Sequence, residues 1–596
     1  MVMNELQNQT NINIQEKANL IWEIATHLVG LFKPHEYGKV ILPMTVLKRF
    51  DDALADTKQD VLTMCEKLDK KNANEELRDG ALCSVSKYSF YNTSKFDFKK
   101  LIADPDNIKA NFENYLQGFS DNVKDIIANF KFENEIKTMA DGGVLFVVLQ
   151  EFNSKKADMS PDKITSADMG YIFEELIRKF SESYDEQAGA HFTSRDIIYL
   201  MTELLIAPEK DIIKEKGCTK TAYDMAMGTS QMLGCLTERL HYINNNSNLT
   251  CFGQEFNPET YAIAKADMLI KGGNASGMKY GDTLSDDQFE GYEFDYIISN
   301  PPFGIDWKRE KKDVEDEYSK YGFDGRFGPG LPTISDGQLL FMLNGVKKLK
   351  KNSGRMAIIQ NGSSLFNGDA GSGSSNIRKY LISDKDLVDA IIQLPTDLFY
   401  NTGISTYIWV ISKGKSAERI GKVQLIDASK CFVKRRKNIG NKRVDLEQEC
   451  IDMIVKAYND FSNNEYQDTE KDLYVESKVF DKEYFGYTKV SVQTPICDEN
   501  GEPILKRGKV QPDKTKADTE IIPLLEDIDT YMEKNVLPFN KLAYLDRSKD
   551  KIGYEVPFTR LFYKFVPPTS SQDIFNKIKQ LETQETDLMK ELFGNE

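Results

Sequence analysis

Residues 295–304 read DYIISNPPFG, an aliphatic run from Asp295 to Ser299 that stops at Asn300, two prolines and Phe303. A short apolar run bounded by turn residues predicts a buried strand. Consecutive prolines cannot donate ladder hydrogen bonds, so they end the strand and hold the chain beyond it stiff and extended. The Asn300 side chain and the Pro301 carbonyl are then fixed acceptors, able to converge on one amino group. An exocyclic amine on a ring is a poor nucleophile, because its lone pair is delocalised. Binding both of its hydrogens lets the nitrogen pyramidalise toward a methyl donor, and Phe303 adds a face on which a base can stack. A plain alternative is a proline-capped strand end with a packed Phe.

The surroundings favour the chemical reading. From about residue 160, helical segments alternate with short apolar runs: TAYDMAM, NLTCFGQEF, FDYIISN, GRMAIIQNG, LVDAIIQLP, YIWVISK and KVQLIDA. That rhythm predicts an α/β fold with a doubly wound, mainly parallel sheet. Ligands of such sheets bind beyond the carboxyl ends of the strands, and three other turns there carry chemistry. After AYDMAM, Asp224 is followed by the small-residue turn Gly228-Thr229-Ser230, which lets backbone N–H groups approach a ligand, and by Gln231 at the helix start. In GQEF, Glu255 ends a strand, where a carboxylate can accept from both ribose hydroxyls, and Asp282 in YGDTL is placed for an adenine edge. Acidic turns without a G-x-x-x-x-G-K-[ST] loop point to a nucleoside-type cofactor and away from an ATPase.

Outside this region, residues 1–158 read as a helical domain, 159–430 as the sheet domain, 431–570 as a polar mixed region, and 571–596 as a terminal helix. That helix carries Ile574, Ile578, Leu581, Leu588 and Leu592 on or near one face, for packing on its own domain or for docking a partner. The net charge of -16 excludes binding nucleic acid through the general field; a local basic face or a basic partner would be needed. The most basic segment, CFVKRRKNIGNKR from Cys431 to Arg443, reads as a solvated surface loop. The 8 cysteines are scattered without knuckle spacing, so neither a zinc site nor a disulfide framework is expected, and no metal site is assigned. The polar start MVMNELQNQTNINIQEK and the absence of a long apolar run predict a cytoplasmic protein.

NPPF after an apolar strand, with the Gly turn and Glu255 upstream, resembles S-adenosylmethionine-dependent amino methyltransferases; Asn in first place points to N6-adenine over N4-cytosine. GKVILPMTVLKRFDDAL, GYIFEELIRKF, GAHFTSRDIIYLM, NGSSLFNGDAGSGSSNIRKYL and IGYEVPFTRLFYKF extend the likeness to the modification subunit of type I restriction–modification systems, over about residues 15–566. The resemblance implies a Rossmann-like methyltransferase domain behind an N-terminal helical domain. It implies assembly of two copies with a specificity subunit that reads DNA, and with a restriction/motor subunit in the larger complex. On the matching positions it makes Asn300, Pro301, Pro302 and Phe303 catalytic. The cofactor S-adenosyl-L-methionine would be held by the turn Ala190, His191, Phe192, Thr193, Ser194 and Arg195, by Asp224, Gly228, Thr229, Ser230 and Gln231, and by Glu255 and Asp282. Ser194 stands where proline is usual. Where the family reads D-P-x-x-G-[ST]-G-G this chain has DMAMGTSQ, with Met225 for proline and Ser230 and Gln231 for glycines; Gln231 either turns outward as the first helical residue or crowds the space for the cofactor's amino-acid end.

Adenine N6 is unreachable for transfer within the DNA stack, so a flipped base in double-stranded DNA is the implied substrate. The polar insertion after Phe303, residues 304–337, reads either as a disordered loop or as a segment that orders over DNA, with the second favoured. Two other functions remain open: a catalytically weak or inactive scaffold for specificity and motor subunits, and an amino methyltransferase acting on RNA or protein.

Overall fold

The computed structural model describes residues 14–594, except 166, 167, 171, 174, 177, 178, 180–192, 401, 440, 500, 507, 566 and 567. Residues 14–165 form helices and turns. At their centre lies α1 (Tyr37–Leu54), buried on nearly every face, as expected for a helix whose apolar residues are not confined to one stripe. Its side chains Val40, Ile41, Leu47 and Phe50 join the same continuous apolar core as the helices and strands that follow.

Five further helices frame the site: α2 (Arg195–Ile206), α3 (Gln231–Ile243), α4 (Pro258–Ile270), α5 (Lys311–Tyr321) and α6 (Gln448–Asp460). The strands begin with β1 (Thr219–Asp224), β2 (Asn248–Glu255), β3 (Met278–Tyr280) and β4 (Tyr296–Ser299). They continue with β5 (Arg355–Asn361), β6 (Val388–Gln393), β7 (Thr406–Ser412) and β8 (Lys422–Lys430). A separate two-stranded ribbon, β9 (Val433–Ile439) and β10 (Lys442–Asp445), precedes β11 (Asn464–Asp468) and β12 (Leu473–Asp481).

All seven apolar runs read from the sequence fall in one ten-stranded sheet of order β11-β12-β8-β6-β7-β5-β4-β1-β2-β3. From β3 through β5 the pairing is parallel, and β7 is inserted antiparallel between β5 and β6. Every residue of β7 is buried, as befits a strand covered on both faces. The mixed region contributes β11 and β12, which extend the sheet antiparallel beside β8. The chain winds outward through β1, β2 and β3, then returns to the other side of β1 as β4. The crevice between the ends of β1 and β4 is therefore the topological switch point.

Two sequence expectations change. The basic segment is the β9–β10 hairpin and not a solvated loop, and its Lys442 is buried. Residues 304–337 are folded and not a disordered loop: α5 packs through Val314, while Trp307 and Phe327 are buried and the Trp307 Nε1–H donates to the Thr333 carbonyl at 3.0 Å. An indole and two large apolar side chains give this polar stretch its own small core, which its average composition conceals.

Beyond the large sheet, Gly486–Gln493 pairs with Asp518–Pro523 and Lys551–Tyr554. Compact packing divides the chain between Val556 and Pro557. In the second unit α7 (Ser571–Phe593) is capped by Ser570, whose Oγ accepts from the Asp573 N–H at 3.1 Å, and Ile574, Ile578, Leu581, Leu588 and Leu592 are exposed along it. No described helix is long and apolar enough to cross a membrane.

Candidate active site at the carboxyl edge of the sheet

Asp224 and Asn300 end neighbouring strands, and Ser299 ties those ends together: its hydroxyl donates to Asp224 Oδ1 at 2.7 Å. The Ala226 N–H donates to the same oxygen at 3.1 Å. Burial pushes the Asp224 carboxyl up to about 7, against the pull of those two hydrogen bonds. Ser299 carried no signal of its own; it read as one more strand residue.

The loop after β1 is shaped by two left-handed residues, Gly228 (φ 52°) and Ser230 (φ 68°). Its Gly228 N–H donates to Glu255 Oε2 at 2.8 Å, and Oε1 accepts from the Asn257 N–H at 2.7 Å. A carboxylate has about four acceptor positions. Two remain for hydroxyl donors, so Glu255 fits a ribose while holding the loop. Thr229 is buried within the same turn.

The departures in DMAMGTSQ resolve into packing. Met225 is buried, and its Sδ accepts from Asn344 Nδ2 at 3.7 Å; Gly345 leaves the space, since a Cβ there would meet the Met225 Cε at 2.9 Å. Gln231 is the first residue of α3, and its Oε1 accepts from Arg195 Nη2 at 3.1 Å, against Gly170. Its amide is engaged by an arginine instead of crowding the turn. The strain lies one residue earlier, at Ser230, where a left-handed conformation costs a side-chain-bearing residue roughly 1–2 kcal/mol. Ser230→Gly removes that cost but loosens the unfolded chain by about 0.4–1 kcal/mol. The Ser230 hydroxyl contributes little in return, lying 4.0 Å from the Met278 sulfur. The variant should gain up to about 1 kcal/mol in urea unfolding at unchanged slope; a lower midpoint would contradict the strain at this position.

Asp282 Oδ1 accepts from the N–H groups of Leu284 (2.8 Å) and Ser285 (3.2 Å). The insertion lies over this turn. The Glu310 carboxyl faces Asp282 and is raised by burial first and by that neighbouring charge. Arg309 sits over the half-exposed ring of Phe256, 4.6 Å from its centroid. Arg326 pins the insertion from the far side, donating to the Thr283 carbonyl (2.6 Å), the Leu284 carbonyl (3.0 Å) and Glu317 (2.6 Å). Phe256 follows Glu255 in GQEF, and that adjacency could have marked it. Arg309, Glu310 and Arg326 were hidden in a stretch read only as polar.

Asn300 itself is half-satisfied. Its Nδ2 donates to Thr193 Oγ1 at 2.8 Å, whereas its buried Oδ1 has no hydrogen-bond partner among the described residues. A buried acceptor left unpaired costs about 1–3 kcal/mol. Pro301 is buried, and Pro302 and Phe303 are partly so, with Phe303 against the main core. Beside Thr193, Ser194 and Arg195 are buried, while Ala190, His191 and Phe192 lie outside the described residues. The Lys442 ammonium reaches this turn from far along the chain, 3.2 Å from Ser194 Oγ and 2.9 Å from Asp196 Oδ2. No local pattern links positions so distant in sequence.

The structure thus brings Thr193, Asp224, Gly228, Glu255, Asp282 and Asn300 to one edge. Residues 165–493 match the family described as N-6 DNA Methylase, and residues 17–152 match the HsdM N-terminal domain. Among curated proteins the chain is 25% identical over 479 residues to the type I restriction enzyme MjaIX methylase subunit of Methanocaldococcus jannaschii, covering 77% of this chain and 79% of that one. It is 29% identical over 300 residues to the MpnII methylase subunit of Mycoplasma pneumoniae, covering 49% of this chain and 51% of the relative. The fold is also that of the crystal structure of a type I restriction–modification methyltransferase subunit from Streptococcus thermophilus, with a TM-score of 0.58 at 22% identity, over 79% of this chain and 97% of the other.

Proposed function

This chain belongs to the N-6 DNA methylase family, and on that premise we propose that it methylates the N6 amino group of adenine in DNA as the modification subunit of a type I restriction–modification complex. The observation that carries the reading is the Asn300 Oδ1, buried at a proline-stiffened strand end with no partner among the described residues. Because Nδ2 is committed to Thr193, the side chain cannot rotate its oxygen away without losing that bond. Oδ1 and the Pro301 carbonyl would accept the two N6 hydrogens. This withdraws the lone pair from ring conjugation and directs it at the incoming methyl carbon, while the flipped base stacks on Phe303.

When bound, S-adenosyl-L-methionine supplies the methyl group. Glu255 has acceptor capacity for its ribose, Phe256 and Asp282 would lie at its adenine, and residues 190–195 with the loop 228–231 would hold its methionine end. The described part of this cradle disfavours an inactive scaffold: its divergent methionine fills core space, and its glutamine pairs with arginine.

Sequence reading is delegated to a specificity subunit, since a net charge of -16 opposes non-specific binding of DNA by this chain alone. The exposed apolar residues of α7, at spacings of three, four and seven, suit a helical partner on that subunit. The test is reconstitution with the accompanying specificity subunit, labelled methyl donor and duplex DNA, followed by nucleoside analysis. Label in N6-methyladenine is expected, and lost when residues 571–596 are removed. Label in N4-methylcytosine, in RNA or in protein would overturn the assignment.

A further inference from the structure

We propose that the β9–β10 hairpin is a phosphate-binding element that grips the DNA backbone beside the flipped adenine, an inference that rests on the DNA-methylase reading above. Its position comes first. β6 runs antiparallel to β7, β7 antiparallel to β5, and β5 parallel to β4. The loop that leaves the end of β6 therefore emerges at the same edge as Asn300.

The hairpin is docked onto that loop by its tip. The Asn441 N–H donates to the Tyr400 carbonyl at 2.9 Å, and the Arg443 N–H to the Asp397 carbonyl at 2.8 Å. Between them the buried Lys442 ammonium donates to the Leu398 carbonyl at 3.0 Å and to Asp196 and Ser194. Ser194 adjoins Thr193, which accepts from Asn300. Two side-chain contacts and one peptide separate the hairpin from the amide that would meet the target base.

Its charge comes second. Lys434, Arg436 and Arg443 are exposed, on both strands, and none forms an ion pair with another described residue. Arg435 instead is paired with Asp445 at 2.7 Å. In a chain with 93 acidic against 77 basic residues, three unneutralised cations on a ribbon fixed beside the catalytic turn are a local reversal of field. Long side chains with mobile heads suit the irregular phosphate spacing around an extruded nucleotide, and they carry no sequence information of their own. That agrees with reading delegated elsewhere.

The experiment compares the parent with the triple variant Lys434→Gln, Arg436→Gln, Arg443→Gln, each reconstituted with the specificity subunit. Dissociation constants for a short recognition duplex are measured across a salt series, with methylation followed in parallel. Each neutralised phosphate adds about 0.9 to the slope of log affinity against log salt. The slope should become shallower by roughly 0.9 to 2.7 as one to three phosphates go unneutralised, and a charge-preserving Arg436→Lys, Arg443→Lys variant should retain the parent's slope. An unchanged slope in an assembled, folded triple variant overturns the proposal. So does failure of the triple variant to assemble with the specificity subunit when the lysine variant assembles, which would make the hairpin a protein-docking surface. If the parent complex itself does not methylate DNA, the functional reading fails first and separately.

Discussion

Asn300→Ala is expected to lower methyl transfer to DNA by about 100- to 1000-fold, the usual consequence of removing one hydrogen bond made to the reacting group in the transition state. The side chain is well placed for so selective an effect. Nδ2 is held by Thr193, and Oδ1 is buried with no partner among the described residues, so the amide's orientation is fixed. The substitution removes the hydrogen bond to Thr193 together with the acceptor, so the fold should lose no more than about 0.5–1.5 kcal/mol, the worth of one such bond. Cofactor affinity should stay within about threefold, because the proposed cofactor residues Glu255 and Asp282 lie at the end of β2 and in the turn after β3, away from Asn300's strand. Single-turnover methylation and calorimetric titration of the same preparation separate the two quantities. A variant that methylates at the parent's rate would remove Asn300 from the chemistry, and one that loses cofactor binding in proportion to rate would make it a structural residue.

Much of this edge was legible because strand ends announce themselves. Asp224, Glu255 and Asn300 each close an apolar run, and a period of alternating strand and helix puts such ends on one side of a sheet. Backbone conformation was harder to read. A left-handed φ is costly for any residue with a side chain and leaves no mark in the sequence, so the strain falls on Ser230 and not on Gln231. Antiparallel insertion of β7 was invisible for a related reason: a fully buried strand reads the same in either direction. The contacts that lie over the site were the least accessible. Arg326 reaches Thr283 and Leu284 from 43 and 42 residues away, and Lys442 reaches Asp196 across 246. Such pairings depend on how elements dock, and a charged residue in sequence looks alike whether it will be solvated or buried.

Asp389→Ala is expected to cost about 3–5 kcal/mol of stability at neutral pH, through the loss of one partner from a buried charge cluster. Asp389 lies in β6 at 1% exposure, between Arg355 of β5 (3.5 Å) and Arg419 (3.3 Å), and it also accepts from the Tyr458 hydroxyl of α6. Burial alone would push its carboxyl up; the pull of Arg355 and Arg419 and the tyrosine hydrogen bond outweighs burial and holds it below the usual range. Without the carboxylate, two buried guanidinium groups face each other's charge, although Arg355 keeps the Tyr458 oxygen at 2.7 Å and the Leu205 carbonyl at 2.9 Å. The pH dependence fixes the sign. A lowered folded pKa means the unfolded chain binds the proton more readily, so this stabilisation is present above the unfolded value near 3.9 and is lost as pH falls through the folded one. The difference between parent and variant in urea unfolding should therefore be full at pH 7 and shrink in acid below about pH 4. A difference under about 1 kcal/mol at pH 7, or one that widens on acidification, would mean that the arginines find other partners and that the cluster does not brace β5 against β6. The consequence for function follows the strand. The end of β6 leads into the loop that seats the hairpin, and Lys442 carries that placement to Ser194 beside Thr193. Loosening Asp389 should thus reduce methylation at temperatures where the variant is still folded, by letting the partner of Asn300 shift.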